Sequence, residues 1–171
     1  MLFWNLENRW EKSLLNGDIM RNDYLKNKVA VVSGSSMGIG KAIAWELAQL
    51  GVKVVLNGRD SERLENAKIE FLDKGFKVDT FVADIRLQDE CRFLVDEVIS
   101  VHGQLDILVN NAGISSRGSI ENSAEKNFTI LSETNFTGTA HLSKYAIPHL
   151  KWHRPRFQRP FASNFMIMVF M

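Results

Sequence analysis

The chain has 171 residues, a length that suits one domain with a sizeable core. With 45% hydrophobic residues, 24% charged residues and a net charge of +1, it has an ordinary globular composition that argues against a general role on nucleic acids or membrane surfaces. The single cysteine excludes an internal disulfide and fits a reducing compartment. The N-terminal stretch breaks its apolar residues with charges and amides, unlike a secretory signal or a membrane span. We therefore expect a cytoplasmic protein.

We interpret residues 1–23 as an N-terminal extension, and strand and helix patterns alternate from Lys28 onwards. The β-branched apolar run at 29–32 predicts a buried parallel strand, and the spacing of apolar residues over 41–50 predicts a helix. Further strands are predicted at 52–56, 77–82 and 108–109, and further helices at 60–75, 88–102 and 123–150. This alternation predicts a Rossmann-like α/β domain over 24–150, a doubly wound parallel sheet with helices on both faces.

A glycine-rich turn, Ser33 to Gly40, lies between the first strand and its helix. This layout delivers backbone N–H groups and the positive end of a helix to a phosphate. We expect its glycines to serve a tight turn, close approach to a pyrophosphate, and close helix–strand packing. An ATP-binding loop is excluded because Ala42, not Ser or Thr, follows Lys41, and Ser35 stands where that loop has its first glycine. The turn therefore predicts a dinucleotide site.

Four motifs in order resemble those of the short-chain dehydrogenases/reductases: the glycine turn, Asp84, the run 110–113 (Asn-Asn-Ala-Gly) and Asn135. Ser33 stands where that family usually has Thr, and the resemblance ends near Leu150. It implies hydride transfer between a nicotinamide cofactor and an alcohol or carbonyl compound, and usually a homo-oligomer. It also implies a set of cofactor-binding residues: Gly34, Ser36, Met37, Gly38, Ile39, Gly40, Arg59, Asp84, Ile85, Asn111, Ala112 and Gly113.

Arg59 follows the second strand, near the expected position of the adenosine ribose. In this fold an acid at the strand end binds the ribose 2′-hydroxyl, whereas an arginine accommodates a 2′-phosphate. Gly58 stands in the acid's usual place, and Asp60 fits a helix cap better. We therefore prefer NADP(H) and leave NAD(H) open; the alternative for Arg59 is a solvated turn residue.

The other motif residues each have a plainer alternative. By resemblance Asp84 binds the adenine amino group, but a cap on the next helix would also explain it. By resemblance Asn111 to Gly113 form the floor of the cofactor site, but a simple turn would also explain them. Asn135 lies within a predicted helix, where Asn is unfavourable. The resemblance makes it a catalytic accessory that binds a water in the proton path, and the alternative is a solvent-facing side chain.

The family reaction needs a Tyr with a Lys four residues later, and a Ser. Tyr24 has Lys28 at that spacing, but it precedes the first strand and cannot reach the carboxyl-end crevice of the sheet. Tyr145 has His149, not Lys, four residues later. Ser163 has the family's spacing from Asn135 but lies among prolines and arginines, so we interpret it as coincidence.

Residues 151–171 form an atypical tail that holds two of the three prolines. A frameshift, a shortened gene or a divergent fifth strand would each produce it, so we expect the sheet to stop after about the fourth or fifth strand. His149 and His153 are four residues apart but have no third ligand nearby, and no metal site is predicted. The leading hypothesis is an oxidoreductase of small alcohols or carbonyls. The alternatives are an inactive NADP-binding fragment or pseudoenzyme, and a product that does not fold stably.

Overall fold

The computed structural model describes residues 25–115, 121 and 123–150, and residues 166–169 as a backbone strand. Strands and helices alternate along the chain, as the sequence predicts. The strands are β1 (Val29–Ser33), β2 (Lys53–Gly58), β3 (Val78–Val82), β4 (Ile107–Asn110) and β5 (Met166–Val169). The α-helices are α1 (Gly38–Gln49), α2 (Ser61–Asp73), α3 (Gln88–His102), α4 (Glu125–Ser132) and α5 (Thr139–Ala146).

The five strands form one parallel sheet in the order β3-β2-β1-β4-β5. From β1 the chain adds β2 and then β3 on one side of that strand. It then returns to add β4 and β5 on the other side. The predicted doubly wound Rossmann-like sheet is therefore confirmed. The fifth strand comes from the tail: its backbone pairs with β4 from Ile107 opposite Met166 to Asn110 opposite Val169. Because the order reverses between β1 and β4, their carboxyl ends border the crevice where ligands bind in such sheets.

Side chains of β1 alternate between two hydrophobic clusters, one on each face of the sheet. Val29 and Val31 belong to the cluster formed with α3 and α5, and Ala30 and Val32 to the cluster formed with α1 and α2. This strand is buried on both faces, which explains why its sequence is a continuous apolar run. The helix residues in the two clusters include Leu94, Val98, Leu142 and Ala146 on one face, and Ala44, Leu47, Leu64 and Phe71 on the other.

The helical stretch predicted over 123–150 is present and runs from Glu125 to Ala146, but it is not α-helical throughout. A π-helical segment, Glu133–Gly138, separates α4 from α5. Two hydroxyl groups compete for helix carbonyls here: Thr134 Oγ1 donates to the oxygen of Ile130 (2.8 Å) and Thr139 Oγ1 to that of Asn135 (3.3 Å). Gly138 packs so closely on Ile85 that an added Cβ would lie 2.8 Å from its Cδ1.

No helix in the described part of the chain combines the length and the apolar character needed to cross a membrane.

Candidate functional site

The glycine turn packs directly against the segment that follows β4. Gly34 has a φ of +64°, and a Cβ on it would lie 2.7 Å from the Cα of Ala112. Gly40 is buried, and a Cβ there would lie 2.5 Å from the oxygen of Gly34 and collide with the side-chain amide of Asn111. Gly38 has a φ of +60° but faces open space. Gly34 and Gly40 thus permit close packing, and Gly38 leaves the start of α1 uncovered.

The first turn of α1 is open to a ligand. Met37, the N-cap residue, makes no side-chain cap hydrogen bond, and the first turn holds no acidic residue. The side chains of Met37 and Ile39 are 59% and 70% exposed. Lys41 forms an ion pair with Glu70 of α2 at 2.8 Å, which occupies the charge that an ATP-binding loop would use on phosphate. The free N–H groups and the helix dipole suit a pyrophosphate.

Ser33 and Asn111 join the glycine turn to the floor of the site. The buried Ser33 Oγ accepts hydrogen bonds from the backbone N–H of Asn111 (3.0 Å) and of Ala112 (3.1 Å). In return, Asn111 Nδ2 donates to the oxygens of Ser33 and Gly34, both at 3.0 Å. The segment is therefore a fixed part of the crevice wall, more than the simple turn that its sequence also allowed. The clamping role of Ser33 was missed, although its place in the glycine motif was the available signal.

Asp84 lies just after β3, and Arg86 holds its carboxylate. Arg86 Nε donates to both carboxylate oxygens, at 3.0 and 2.9 Å, and its backbone N–H donates to Oδ1 at 3.1 Å. The Arg86 side chain, assisted by the charge of Arg59, lowers the pKa of Asp84 below its ordinary value of 3.8. The alternative role as a helix cap is wrong, because the N-cap of α3 is Leu87. The pair leaves an ionised carboxylate facing the cleft.

The buried side chain of Asn57 fixes the end of β3. Its Nδ2 donates to the oxygens of Phe81 (3.1 Å) and Ala83 (3.2 Å). The backbone of Asn57 also binds Ser35 of the glycine turn: its oxygen accepts from the Ser35 N–H at 2.9 Å, and its N–H donates to Ser35 Oγ at 3.0 Å. One buried amide therefore ties the glycine turn, β2 and the segment that carries Asp84 together.

Arg59 and Asp60 follow β2 and differ in their partners. Arg59 is exposed and makes no hydrogen bond to the residues that the structure describes. Asp60 is the N-cap of α2, as predicted: its Oδ1 accepts from the N–H of Arg63 at 3.1 Å. Its other oxygen pairs with Arg63 Nε at 3.3 Å. Asp60 is thus occupied by α2, whereas Arg59 is available to a ligand.

Asn135 lies in the π-helical segment and binds the loop after β4. Its Oδ1 accepts from the N–H of Ile114 at 2.8 Å, and its Nδ2 donates to the oxygen of Ile114 at 2.9 Å. Asn135 is exposed, as the solvent-facing alternative has it, but its amide is engaged by Ile114. The amide oxygen and the amide nitrogen both bind the backbone of one residue, Ile114, which fixes the loop beside Gly113.

A cleft of about 550 Å³ brings most of the predicted residues together. Ten of them line it: Gly34, Ser36, Met37, Ile39, Arg59, Asp84, Ile85, Asn111, Ala112 and Gly113. Gly38, Gly40 and Asn135 do not line the cleft. Gly40 packs against Gly34 and Asn111, and Asn135 binds Ile114, and all three of these partners line it. Four further residues line the cleft although no sequence motif marks them: Asn57, Arg63, Ile114 and Thr134. The glycine cradle, the open helix start and the Arg59 side chain, unpaired within the described residues, fit a dinucleotide.

The described cleft contains no proton donor of the kind the family reaction needs. Tyr145 does not line it; its hydroxyl accepts from Gln88 Nε2 at 2.7 Å. Tyr24 and Ser163 lie outside the described residues. The four residues of β5 are Met, Ile, Met and Val, none with a titratable side chain. Among the described residues, no group of three His, Cys, Asp or Glu side chains could hold a metal.

Comparison with known proteins agrees with this architecture. The short chain dehydrogenase family matches residues 28–156. An oxidoreductase of Staphylococcus saprophyticus is 38% identical over 127 residues, covering 74% of this chain and 54% of its own length. Gluconate 5-dehydrogenase of Gluconobacter oxydans is 39% identical over 127 residues, covering 70% of this chain and 48% of its own length.

Solved structures give the same result. A metagenomic short-chain oxidoreductase in complex with NADP has a TM-score of 0.69 and 33% identity, over 74% of this chain and 57% of that one. L-sorbose reductase of Gluconobacter frateurii, complexed with NADPH and L-sorbose, has a TM-score of 0.68 and 34% identity, over 74% and 48%. The chain belongs to the short-chain dehydrogenase/reductase family. It spans about half the length of the curated relatives that it matches.

Proposed function

We propose that this chain binds NADP(H) in preference to NAD(H), and that it is the cofactor-binding part of an enzyme that moves a hydride between this cofactor and a small alcohol or carbonyl compound. The observation that carries the proposal is the juxtaposition of an open helix start, a glycine cradle and an exposed Arg59 in one cleft. When bound, the cofactor supplies or accepts the hydride.

The glycine cradle and the start of α1 would hold the pyrophosphate through backbone N–H groups. Asp84, kept ionised by Arg86, would accept a hydrogen bond from the adenine amino group. Ala112 and Gly113 present little side chain to a ribose, and Ser33 keeps their segment in place. Asn135 would orient this floor through Ile114, and we propose that it also binds a water in the proton path.

The preference for NADP(H) rests on charge at the end of β2. A 2′-hydroxyl is bound by a carboxylate, but Asp60 already gives both oxygens to Arg63. Gly58, at the end of β2, has no side chain and so provides no acid at that position. A Cβ added to Gly58 would lie 3.5 Å from Ser36 Oγ. Arg59 can offer its planar guanidinium to a phosphate. The structures of relatives in complex with NADP or NADPH support the same choice.

The proposal is tested by titrating the chain with NADPH and with NADH, following nucleotide fluorescence. NADPH should bind more tightly, and Arg59→Gln should remove most of the difference. A charge-assisted hydrogen bond contributes roughly 1.5–3 kcal/mol, which corresponds to about tenfold or more in affinity. Arg92→Gln, which removes an exposed arginine from α3 away from the cleft, is the matched control and should bind like the parent. Equal affinities of the parent for the two cofactors would refute the preference.

A second candidate function is nucleotide binding without turnover by these 171 residues. It is favoured by the absence of a tyrosine or lysine from the lining of the described cleft. The same samples, supplied with NADPH and a panel of ketones, aldehydes and sugars, should then show no NADPH oxidation above background. Turnover that survives Tyr24→Phe, Tyr145→Phe and Ser163→Ala would contradict this candidate.

Four expectations from the sequence stay proposals. They are a cytoplasmic location, a homo-oligomer, a small-molecule substrate, and a cofactor-binding domain over 24–150 flanked by an extension (1–23) and a tail (151–171).

A further inference from the structure

We infer that Arg63 is a second cationic ligand for the cofactor's 2′-phosphate, acting beside Arg59 across the mouth of the cleft. This inference rests on the proposed NADP(H) binding and assigns a residue that the sequence motifs do not mark. Arg63 lies in the first turn of α2, four residues after Arg59, and lines the same cleft as Ser36 and Gly58.

Two contacts hold the Arg63 side chain towards the glycine turn. Its Nε pairs with Asp60 Oδ2 at 3.3 Å, and its Nη1 donates to the sulfur of Met37 at 3.7 Å. Met37 occupies the N-cap position of α1, so Arg63 reaches from the helix after β2 to the helix after β1. Its Nη2 makes no hydrogen bond within the described part of the chain and is available to an anion.

The charges around this point favour a phosphate only when Arg63 is counted. Asp60 carries a negative charge and lines the cleft next to Arg59. If Arg59 were the only cation, that carboxylate would offset most of its attraction for a dianionic phosphate. Because Arg63 pairs with Asp60, the group of three keeps a net positive charge. Arg63 therefore both neutralises the nearby acid and offers additional donors to the phosphate.

Arg63 is 64% exposed at its side chain, so water and salt weaken its contribution relative to that of a buried arginine. We expect Arg63→Gln to weaken NADPH binding about threefold to fivefold and to leave NADH binding unchanged. Arg63→Lys should restore part of the loss, because it returns the charge without the planar fork. The measurement is the ratio of the two dissociation constants for the parent, Arg63→Gln, Arg63→Lys, Arg59→Gln and the control Arg92→Gln, with circular dichroism to confirm folding.

The outcomes separate this inference from the proposal on which it rests. A parent protein without a preference for NADPH would overturn both. A preference that Arg59→Gln abolishes and Arg63→Gln leaves intact would overturn the role of Arg63 alone. Equal weakening of NADPH and NADH by Arg63→Gln would also overturn it, since the arginine would then act on the whole site. A selective loss of NADPH affinity, partly restored by Lys, would support it.

Discussion

Replacing Gly40 with Ala should strongly destabilise the fold, because the added methyl group has no space. The Cβ would lie 2.5 Å from the oxygen of Gly34 and would collide with Asn111 Nδ2. Moving that amide breaks its hydrogen bonds to Ser33 and Gly34, worth about 1 kcal/mol each. Overpacking adds about 1–3 kcal/mol. The total loss should therefore be about 3–5 kcal/mol, a large part of the stability of a typical domain.

Gly103→Ala is the matched control for this prediction. Gly103 ends α3 with a φ of +72°, but an added Cβ meets no atom within 4 Å. Its cost should be the conformational strain alone, about 1–2 kcal/mol. Urea unfolding followed by circular dichroism gives both values from the midpoints, provided that the slopes agree. The reasoning is refuted if Gly40→Ala costs no more than Gly103→Ala.

Two further predictions concern titrating groups. Burial raises the pKa of the Cys91 thiol to about 12, so at pH 8 a thiol reagent should label the folded chain on the order of a thousandfold more slowly than the urea-unfolded chain. Comparable labelling rates would contradict the buried site. Because Arg86 lowers the pKa of Asp84, the pair stabilises the fold above pH 3.8, the ordinary carboxyl value, and this contribution is lost as the pH falls through the lowered pKa. Arg86→Gln should therefore cost more unfolding free energy at pH 7 than at pH 3, and equal costs at the two pH values would rule out this linkage.

The sheet was predictable because a strand that is buried on both faces has a continuous run of apolar residues in its sequence. β1 reads as a continuous β-branched run, and the Asp at residue 60 marked the start of α2 correctly. The glycine turn could be assigned because its chemistry is local: a strand, a tight turn and a helix start within a few residues. The cleft residues that were predicted all lie in such strand-end segments.

Contacts between distant segments could not be predicted in this way. The Asn135–Ile114 pair joins residues 21 positions apart through a loop whose path no periodicity specifies. Arg86 and Asp84 are only two residues apart, but this spacing does not indicate whether the arginine side chain binds the Asp84 carboxylate or extends into solvent. The π-helical segment was missed because its residues fit an α-helix nearly as well, and only the hydroxyl contacts and Gly138 reveal it.

The π-helical segment also constrains where the chain can gain or lose a residue. A π turn holds about one residue more than an α turn, so straightening it at unchanged length would rotate everything after it by about 100°. Leu142 and Ala146 of α5 are fully buried against the sheet with the extra residue in place. Deleting one residue of Glu133–Gly138 would remove the extra residue and let the segment close into an α-helix, with these two side chains still facing the core. Deleting one residue at the start of α5 has no such compensation and would turn both side chains by about 100°. The π-helical segment should therefore tolerate the loss of one residue better than α5 does.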